Sequence, residues 1–114
     1  MRTLILALAI LTTTSANAEL HFVANYDDGR RLYVETDSIV VRNDGVGARF
    51  YVFDKANNPT GYVNGVVTRA DCRAGRGTLS LGNSKQENRV PFIRRNPPGN
   101  AYNGIGTVLC LAYD

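Results

Sequence analysis

The chain has 114 residues, a formal net charge of +3 and 44% hydrophobic residues. These values fit one small globular domain, and they exclude a multidomain enzyme, a collagen-like chain and a coiled coil. An aromatic fraction of 9%, with little low-complexity sequence, argues against intrinsic disorder.

The N-terminal segment carries the parts of a secretory signal peptide. Arg2 supplies a positive n-region, residues 4–11 are an unbroken apolar run, and a small-x-small cleavage site ends at Ala18. The apolar run is too short to span a hydrocarbon core of about 30 Å, so we expect no transmembrane segment. We predict export, cleavage after Ala18 and a single domain over residues 19–114. No cysteine directly follows Ala18, so we expect no lipidation, and the periplasm, the outer surface and the medium all remain open as destinations.

Cys72 and Cys110 are the two cysteines of the chain. In an exported protein an even pair of cysteines predicts a disulfide, and only one pairing is possible here. By the chain-entropy model, a disulfide that closes a loop of this length stabilises the folded domain by about 4 kcal/mol. A redox or metal-binding thiol pair is the alternative, but the sequence has no C-x-x-C motif and only one histidine, His21.

Alternating apolar and polar residues, rich in β-branched and aromatic types, predict strands along most of the chain after Ala18. The predicted strands cover residues 20–24, 31–35, 38–42, 48–53, 62–69, 78–81 and 89–93. Clusters of Gly, Pro, Asn and Asp predict the intervening turns and loops. These cover residues 27–29, 36–37, 43–45, 57–61, 82–88 and 96–99.

Three features refine the predicted strands. Residues 43–45 read Asn-Asp-Gly, a hairpin signal because these residue types tolerate positive φ. Gly65 predicts a bend or bulge in strand 62–69. Pro91 cannot donate a ladder hydrogen bond, which confines strand 89–93 to the edge or the end of a sheet.

The C-terminal segment, residues 101–113, favours a helix over a strand. Its apolar residues recur at helical spacing, and Asn100 is a suitable N-cap. Gly104 and Gly106 argue against a helix, because each costs about 1 kcal/mol in a helix interior. We predict a helix that Cys110 ties to the sheet, and therefore an α+β fold with a small, mainly antiparallel sheet and one disulfide.

The residues that carry catalytic or metal chemistry form no recognisable grouping. No G-x-S-x-G motif surrounds any serine. His21 lies in an apolar strand and is interpreted as a packed or surface residue rather than a general base. A zinc site needs four N or S ligands, and residues 54–61 lack the spacing of a calcium-binding EF-hand. We therefore predict a protein that is not an enzyme and needs neither a cofactor nor a metal.

Arginine dominates the basic residues, since only Lys55 and Lys85 are lysines. The guanidinium group matches carboxylate, sulfate and phosphate groups, and arginine with tyrosine is typical of recognition surfaces. Clustered arginines form our candidate binding surface for a protein or glycan ligand of anionic character. They are Arg30, Arg31, Arg69, Arg73, Arg76, Arg94 and Arg95. A solvated surface balanced by ten acids is the other interpretation, and the modest charge argues against nucleic acid.

From Leu32 onward the chain resembles the surface-adhesin E family of Gram-negative bacteria. Residues 32–39, LYVETDSI, are similar to the family's Y-V-D-x-x-S-I opening, and a strand at 49–53 follows. A strand then leads into the Asp-Cys step at 71–72, and a proline-containing turn precedes the segment that ends in Cys110. The resemblance covers most of residues 19–114.

The resemblance implies a small antiparallel sheet with a packed helix, tied by a Cys72–Cys110 bridge. It also implies a non-catalytic protein, and some members bind host matrix or plasma glycoproteins. Two features depart from the family. The best-known type of the family is a lipoprotein, whereas we expect no lipidation here. The region between the two cysteines is also short, since only residues 78–93 are available for the family's intervening strands. No binding residue is carried over from the family, because no position matches a specific enough motif.

We therefore expect a non-enzymatic exported binding protein of adhesin E type. A periplasmic inhibitor or immunity protein, which would block an enzyme through an Arg/Tyr-rich surface, is the alternative. A small hydrolase using His21 is a third hypothesis. An exposed strand edge can also pair two subunits, so a homodimer through a sheet edge is a further expectation.

Overall fold

The computed structural model describes residues 19–83 and 86–114. Residues 1–18, which include the predicted signal peptide, and residues 84–85 of the predicted turn lie outside this description. In chain order the elements are β1 (Leu20–Asn25), β2 (Arg31–Val41), β3 (Gly45–Phe53), β4 (Pro59–Thr68), α1 (Arg69–Ala74), β5 (Arg76–Gly82), β6 (Glu87–Ile93) and α2 (Ala101–Tyr113).

The six strands form one sheet in the order β1-β2-β3-β4-β5-β6, and every neighbouring pair is antiparallel. Each strand therefore pairs with its neighbour in sequence, and β1 and β6 form the edges of the described sheet. The helix α2 packs on one face. The predicted α+β class is confirmed, and β6, which contains Pro91, is an edge strand as predicted.

The hydrophobic core lies between α2 and the face of the sheet that it covers. Alternate residues of the strands point into it, as the period of two requires. The fully buried side chains of the strands include Leu32, Phe50 and Leu79, and α2 contributes Ile105 and Leu109. The opposite face of the sheet has no helix packed on it in the described part of the chain.

The helix α2 begins as predicted, with Asn100 as its N-cap. The Asn103 backbone N–H donates to Asn100 Oδ1 at 2.8 Å. The two glycines that argued against a helix lie where α2 approaches the sheet. A Cβ atom at Gly106 would lie 2.2 Å from the Phe92 ring, and one at Gly104 would lie 2.9 Å from Val23 Cγ1. Glycine at these two positions lowers the helix propensity, but the missing side chains let the backbone of α2 pack closely on the sheet.

Asn103 joins α2 to β6 and to the turn before the helix. Its Oδ1 accepts from the Ile93 backbone N–H at 2.8 Å, and its Nδ2 donates to the Pro98 carbonyl at 3.0 Å. The side chain is buried, with 9% exposure. Both hydrogen bonds are partly buried, and they link the helix to the edge strand and to the turn that precedes the helix.

The predicted disulfide between Cys72 and Cys110 is confirmed, and it links α1 to α2. Sequence analysis did not predict α1, a single short helix. Thr68 caps α1 by accepting from the Asp71 backbone N–H, and Gly75 ends it with a positive φ of 78°. A disulfide indicates an oxidising, extracytoplasmic compartment. None of the helices in the described ranges is long and apolar enough to cross a membrane.

The strand β1 changes faces along its length. Leu20, Phe22 and Ala24 alternate in the sequence, yet they do not share a face, because the pairing with β2 shifts register between Phe22 and Ala24. Ala24 is buried in the core, whereas Phe22 is exposed on the opposite face. The bulge at Val23 thus moves an aromatic side chain out of the core.

The predicted turn at residues 36–37 is wrong, because β2 continues from Arg31 to Val41. The strand bulges there instead, and its register with β3 shifts between Glu35 and Val40. The Ser38 hydroxyl donates to the Glu35 carbonyl at 2.6 Å and accepts from the Arg49 backbone N–H at 2.7 Å. This hydroxyl replaces a ladder hydrogen bond, so the strand crosses the bulge without a break.

Two predictions that were based on glycine and asparagine residues are wrong: positive φ angles in the hairpin at residues 43–45, and a bend or bulge at Gly65. Positive φ angles occur in the described ranges at Asn57, Gly29, Gly75 and Gly99, and not in the hairpin at residues 43–45. The hairpin closes instead through a hydrogen bond from the Arg42 N–H to the Gly45 carbonyl. Gly65 causes no bulge, because it pairs in regular register with Ala48. A Cβ there would press on Ile105 at 3.1 Å and on Phe50 at 3.2 Å.

Candidate ligand-binding face

The face of the sheet opposite α2 carries a line of aromatic side chains across four neighbouring strands. Cross-strand register pairs Phe22 with Tyr33, Tyr33 with Tyr51, and Tyr51 with Tyr62. We call these four residues the aromatic row. It runs perpendicular to the strands, and neighbouring members come from strands about 4.8 Å apart.

The rings of the aromatic row contact one another in two pairs and remain partly accessible. Phe22 and Tyr33 pack edge to face with centroids 5.7 Å apart, and Tyr33 packs in the same manner on Phe53 at 5.2 Å. Tyr51 and Tyr62 are tilted, with centroids 6.2 Å apart. The outermost members are the most exposed, at 54% for Phe22 and 41% for Tyr62. Such exposed aromatic patches mark interaction sites.

A second line of side chains runs beside the aromatic row, two residues further along each strand. Glu35 pairs with Arg49, and Arg49 pairs with Asn64. We call these three residues the polar row. All three end in planar groups, and together they offer a carboxylate, a guanidinium and an amide.

Arg49 connects the two rows. Its guanidinium lies over the Tyr62 ring at 4.8 Å from the centroid, and its Nε donates to Asn64 Oδ1 at 3.5 Å. Hydrogen bonding to the Tyr51 side chain raises the pKa of Arg49, and the charge of Glu35 raises it further. The guanidinium therefore lies over the sheet surface beside Tyr62 and Asn64, and the side chain remains exposed.

A shallow cavity of about 380 Å³ adjoins the polar row at the bulge of β2. Glu35, Arg49 and Asn64 line one side, and the exposed side chains of Val40 and Val66 line the other. The face thus combines stacking surfaces, hydrogen-bonding groups and a depression within one area.

The structure places the seven predicted arginines in two groups at opposite ends of the sheet. Arg30 and Arg31 lie at the β1–β2 turn. The Asp28 carboxylate accepts from Arg30 Nε at 2.8 Å, and the guanidinium lies 4.3 Å from the Tyr26 ring centroid. Arg31 donates to Asn57 Oδ1 at 3.0 Å. Each of these two arginines thus has a partner within the chain.

The other five arginines lie near α1 and the ends of β5 and β6. Arg69, Arg73 and Arg94 line a cavity of about 310 Å³ together with Tyr113 and Asp114. Arg94 forms an ion pair with Asp114, and Arg69 lies 6.0 Å from the Tyr113 ring centroid. We call this place the arginine cavity.

The two remaining arginines lie apart from the arginine cavity. Arg76 begins β5 and is exposed, and Arg95 Nε donates to the Pro97 carbonyl at 3.1 Å. The predicted surface is therefore not one continuous patch.

His21 is exposed, with its Nε2 3.6 Å from Glu19 Oε1 and 58% of its side chain accessible. Among the described residues, no group of three or more His, Cys, Asp or Glu side chains is placed to hold a metal ion. Among the described residues, the aromatic row and the polar row on the open face form the best candidate for a ligand-binding site.

Comparison with known proteins adds no relative, because no family model, no curated protein and no solved structure matches the chain. The resemblance to the surface-adhesin E family rests on the sequence motifs alone. The aromatic row was not predicted from the sequence. Its signal was present in residues 31–35 and 48–53, where aromatic residues alternate with the aliphatic residues of the core.

Proposed function

We propose that this protein is a non-enzymatic exported binding protein of the surface-adhesin E type, whose open sheet face contacts a glycoprotein partner. The aromatic row is the observation that carries the proposal. Tyr62 and Phe22 keep about half of their surface accessible on a face that α2 does not cover. Tyrosine is enriched where proteins meet their partners, because it offers a large apolar surface with a polar tip.

Two further observations support an exported binding protein. The Cys72–Cys110 bridge fits an oxidising compartment. The motifs at residues 32–39 and 71–72 are similar to those of a family in which some members bind matrix or plasma glycoproteins. Export with cleavage after Ala18 is part of this proposal, as is the resemblance itself.

The binding test uses immobilised matrix and plasma glycoproteins and the purified protein in surface plasmon resonance. We expect at least one glycoprotein to bind at micromolar concentration, and we expect Tyr62→Ala to weaken that binding at least about tenfold, which is about 1.4 kcal/mol. Leu111→Ala is the control, because Leu111 is an apolar side chain that is 60% exposed on α2. No binding to any member of the panel, or equal effects of the two variants, would overturn the proposal.

The export test locates a C-terminally tagged chain in cells, periplasm and medium. We expect a mature N-terminus at Glu19, and tagged protein that is either in the medium or degraded when intact cells are treated with protease. Protein that is confined to the periplasm and protected from protease would exclude contact with a host partner.

A periplasmic inhibitor or immunity protein is the second candidate function, and the arginine cavity is the observation that favours it. Three guanidinium groups and a tyrosine beside one aspartate suit an acidic loop of an enzyme. The test is a stoichiometric complex with a periplasmic enzyme that loses activity in the complex. Arg69→Ala combined with Arg73→Ala should release that enzyme, whereas Tyr62→Ala should not.

A further inference from the structure

We infer that the group recognised by the open face is an uncharged glycan chain on the glycoprotein partner, lying across β1 to β4 along the aromatic row. This inference rests on the proposed function and adds the chemical class of the ligand. It is carried by the two parallel rows of the face, one of rings and one of planar polar groups.

The direction and repeat of the aromatic row suit a chain of sugar rings. A pyranose has apolar faces of C–H groups and a rim of hydroxyls, so its faces pack on aromatic rings. The row presents one aromatic ring per strand, with ring centroids 5.7 Å apart for Phe22 and Tyr33 and 6.2 Å apart for Tyr51 and Tyr62. An elongated ligand that crosses the strands therefore meets a new ring at each step, from Phe22 to Tyr62.

The polar row suits the hydroxyl rim of such a ligand. It lies two residues from the aromatic row along each strand, which is about 6.7 Å. Glu35 only accepts hydrogen bonds, Arg49 only donates them, and Asn64 does both. Sugar hydroxyls both donate and accept, so they satisfy all three side chains. A proline-rich peptide offers mainly carbonyl acceptors and would leave the Glu35 carboxylate without a donor.

The charges on the face favour an uncharged glycan over an acidic one. The positive charge of Arg49 is accompanied by the negative charge of Glu35, its cross-strand partner. An anionic sugar placed on the polar row would face that carboxylate, and like charges at close range are unfavourable. Arg31 shares this face of β2 with Tyr33 and donates to Asn57 Oδ1. The arginine cavity lies on different elements and outside the path of the aromatic row.

The cavity at the β2 bulge provides room for a substituent or a branch of the chain. It adjoins Glu35 and Arg49, and its wall of Val40 and Val66 is apolar. An acetamido or methyl group of a sugar combines an apolar part with hydrogen-bonding neighbours and is complementary to that lining.

The test compares three forms of one glycoprotein that binds in the panel: native, treated with sialidase to leave uncharged glycans, and stripped of glycans by glycosidases. We expect the sialidase-treated form to bind at least as tightly as the native form, and the stripped form to bind at least about tenfold more weakly. Glycans released from the same protein should compete. The affinity should change less than about twofold between 50 and 500 mM salt, because salt screens attraction between charges and an uncharged glycan has no charge to attract.

Variants of the face complete the test. Tyr62→Phe should retain most of the binding because the ring remains, whereas Tyr62→Ala should lose it. Glu35→Gln and Asn64→Ala should each weaken binding to the sialidase-treated form several-fold, with Leu111→Ala unchanged.

Each outcome separates the inference from the proposed function. Equal binding of the stripped and native forms, still lost in Tyr62→Ala, would overturn the glycan inference and leave the proposed function intact. Loss of binding after sialidase treatment would show an acidic glycan and overturn the uncharged class. Failure of every glycoprotein to bind would instead overturn the proposed function.

Discussion

A Cβ atom on Gly106 would lie 2.2 Å from Cδ2 of Phe92, so the backbone of α2 rests directly against that ring. Phe92 is 2% exposed and belongs to the edge strand β6. The contact explains why a residue with poor helix propensity occupies the middle of α2. Any side chain at position 106 would push the helix away from the sheet.

Replacing Gly106 by alanine is therefore expected to lower the free energy of unfolding by about 1–3 kcal/mol, the usual cost of overpacking a core. Alanine gains helix propensity, but its Cβ would overlap the buried Phe92 ring, so the ring or the helix has to move. Urea denaturation measures the difference. Gly61→Ala is the control, because no heavy atom lies within 4 Å of a Cβ there. A Gly106→Ala protein as stable as the wild type would contradict the packing described.

Replacing Asn103 by alanine should cost about 2–4 kcal/mol of unfolding free energy. The change leaves the Ile93 N–H and the Pro98 carbonyl without partners at a partly buried position, which costs about 1–2 kcal/mol each. Asn100→Ala removes one cap hydrogen bond and should cost about 1 kcal/mol. Chemical denaturation of both variants distinguishes the two roles, and equal small losses would count against Asn103 as a buried link.

Reducing the disulfide should lower the free energy of unfolding by about 2–5 kcal/mol. The bridge closes the loop that contains β5 and β6, so its loss enlarges the unfolded ensemble. Thermal denaturation with and without a reductant measures the effect. The double variant Cys72→Ala and Cys110→Ala is the control, because its melting temperature should not respond to the reductant. A wild-type melting temperature that is insensitive to the reductant would show that the bridge contributes little.

Acidification should remove a stabilising contact at the β1–β2 turn. The backbone N–H of Arg30, and then its guanidinium, lower the pKa of the Asp28 carboxyl. A lowered folded-state pKa means that the stabilisation is present above the unfolded value of about 3.9 and is lost as pH falls through the folded value. The stability difference between the wild type and Asp28→Asn should therefore be largest at neutral pH and shrink below about pH 4.

Denaturation of both proteins at several pH values provides the measurement for Asp28. Asp27→Asn is the control, because it removes the neighbouring carboxylate of the same turn. A difference between the wild type and Asp28→Asn that stays constant down to about pH 2 would contradict the assignment.

The sequence predicted the architecture well because its signals are local. Alternating residues marked the strands, helical spacing marked α2 despite Gly104 and Gly106, and the even cysteine pair marked the bridge. The short helix α1 was missed because six residues are too few to show a periodicity. The bulge in β2 was read as a turn, because Ser38 supplies its replacement hydrogen bonds only once β3 lies beside it.

The open face was much harder to predict than the core. Tyr33, Tyr51 and Tyr62 are distant in sequence and meet only through the register of β2, β3 and β4. Phe22 lies on the same face because of the bulge at Val23. No residue type in β1 predicts that bulge. The arginines show the converse. Arg30 and Arg31 are adjacent in the sequence, as are Arg94 and Arg95, but the fold places these two pairs at opposite ends of the sheet.

The last element of the chain is also the one that covers the sheet. Because neighbouring strands pair in sequence order, the sheet contains mainly local pairings, which favour fast folding. Its apolar face nevertheless stays open to water until residues 101–113 have been synthesised and have packed on it, and Cys72 lacks its native disulfide partner until Cys110 arrives. A chain truncated before α2 would thus present an uncovered apolar sheet and a reactive thiol together, a combination that favours aggregation and mixed disulfides during biogenesis.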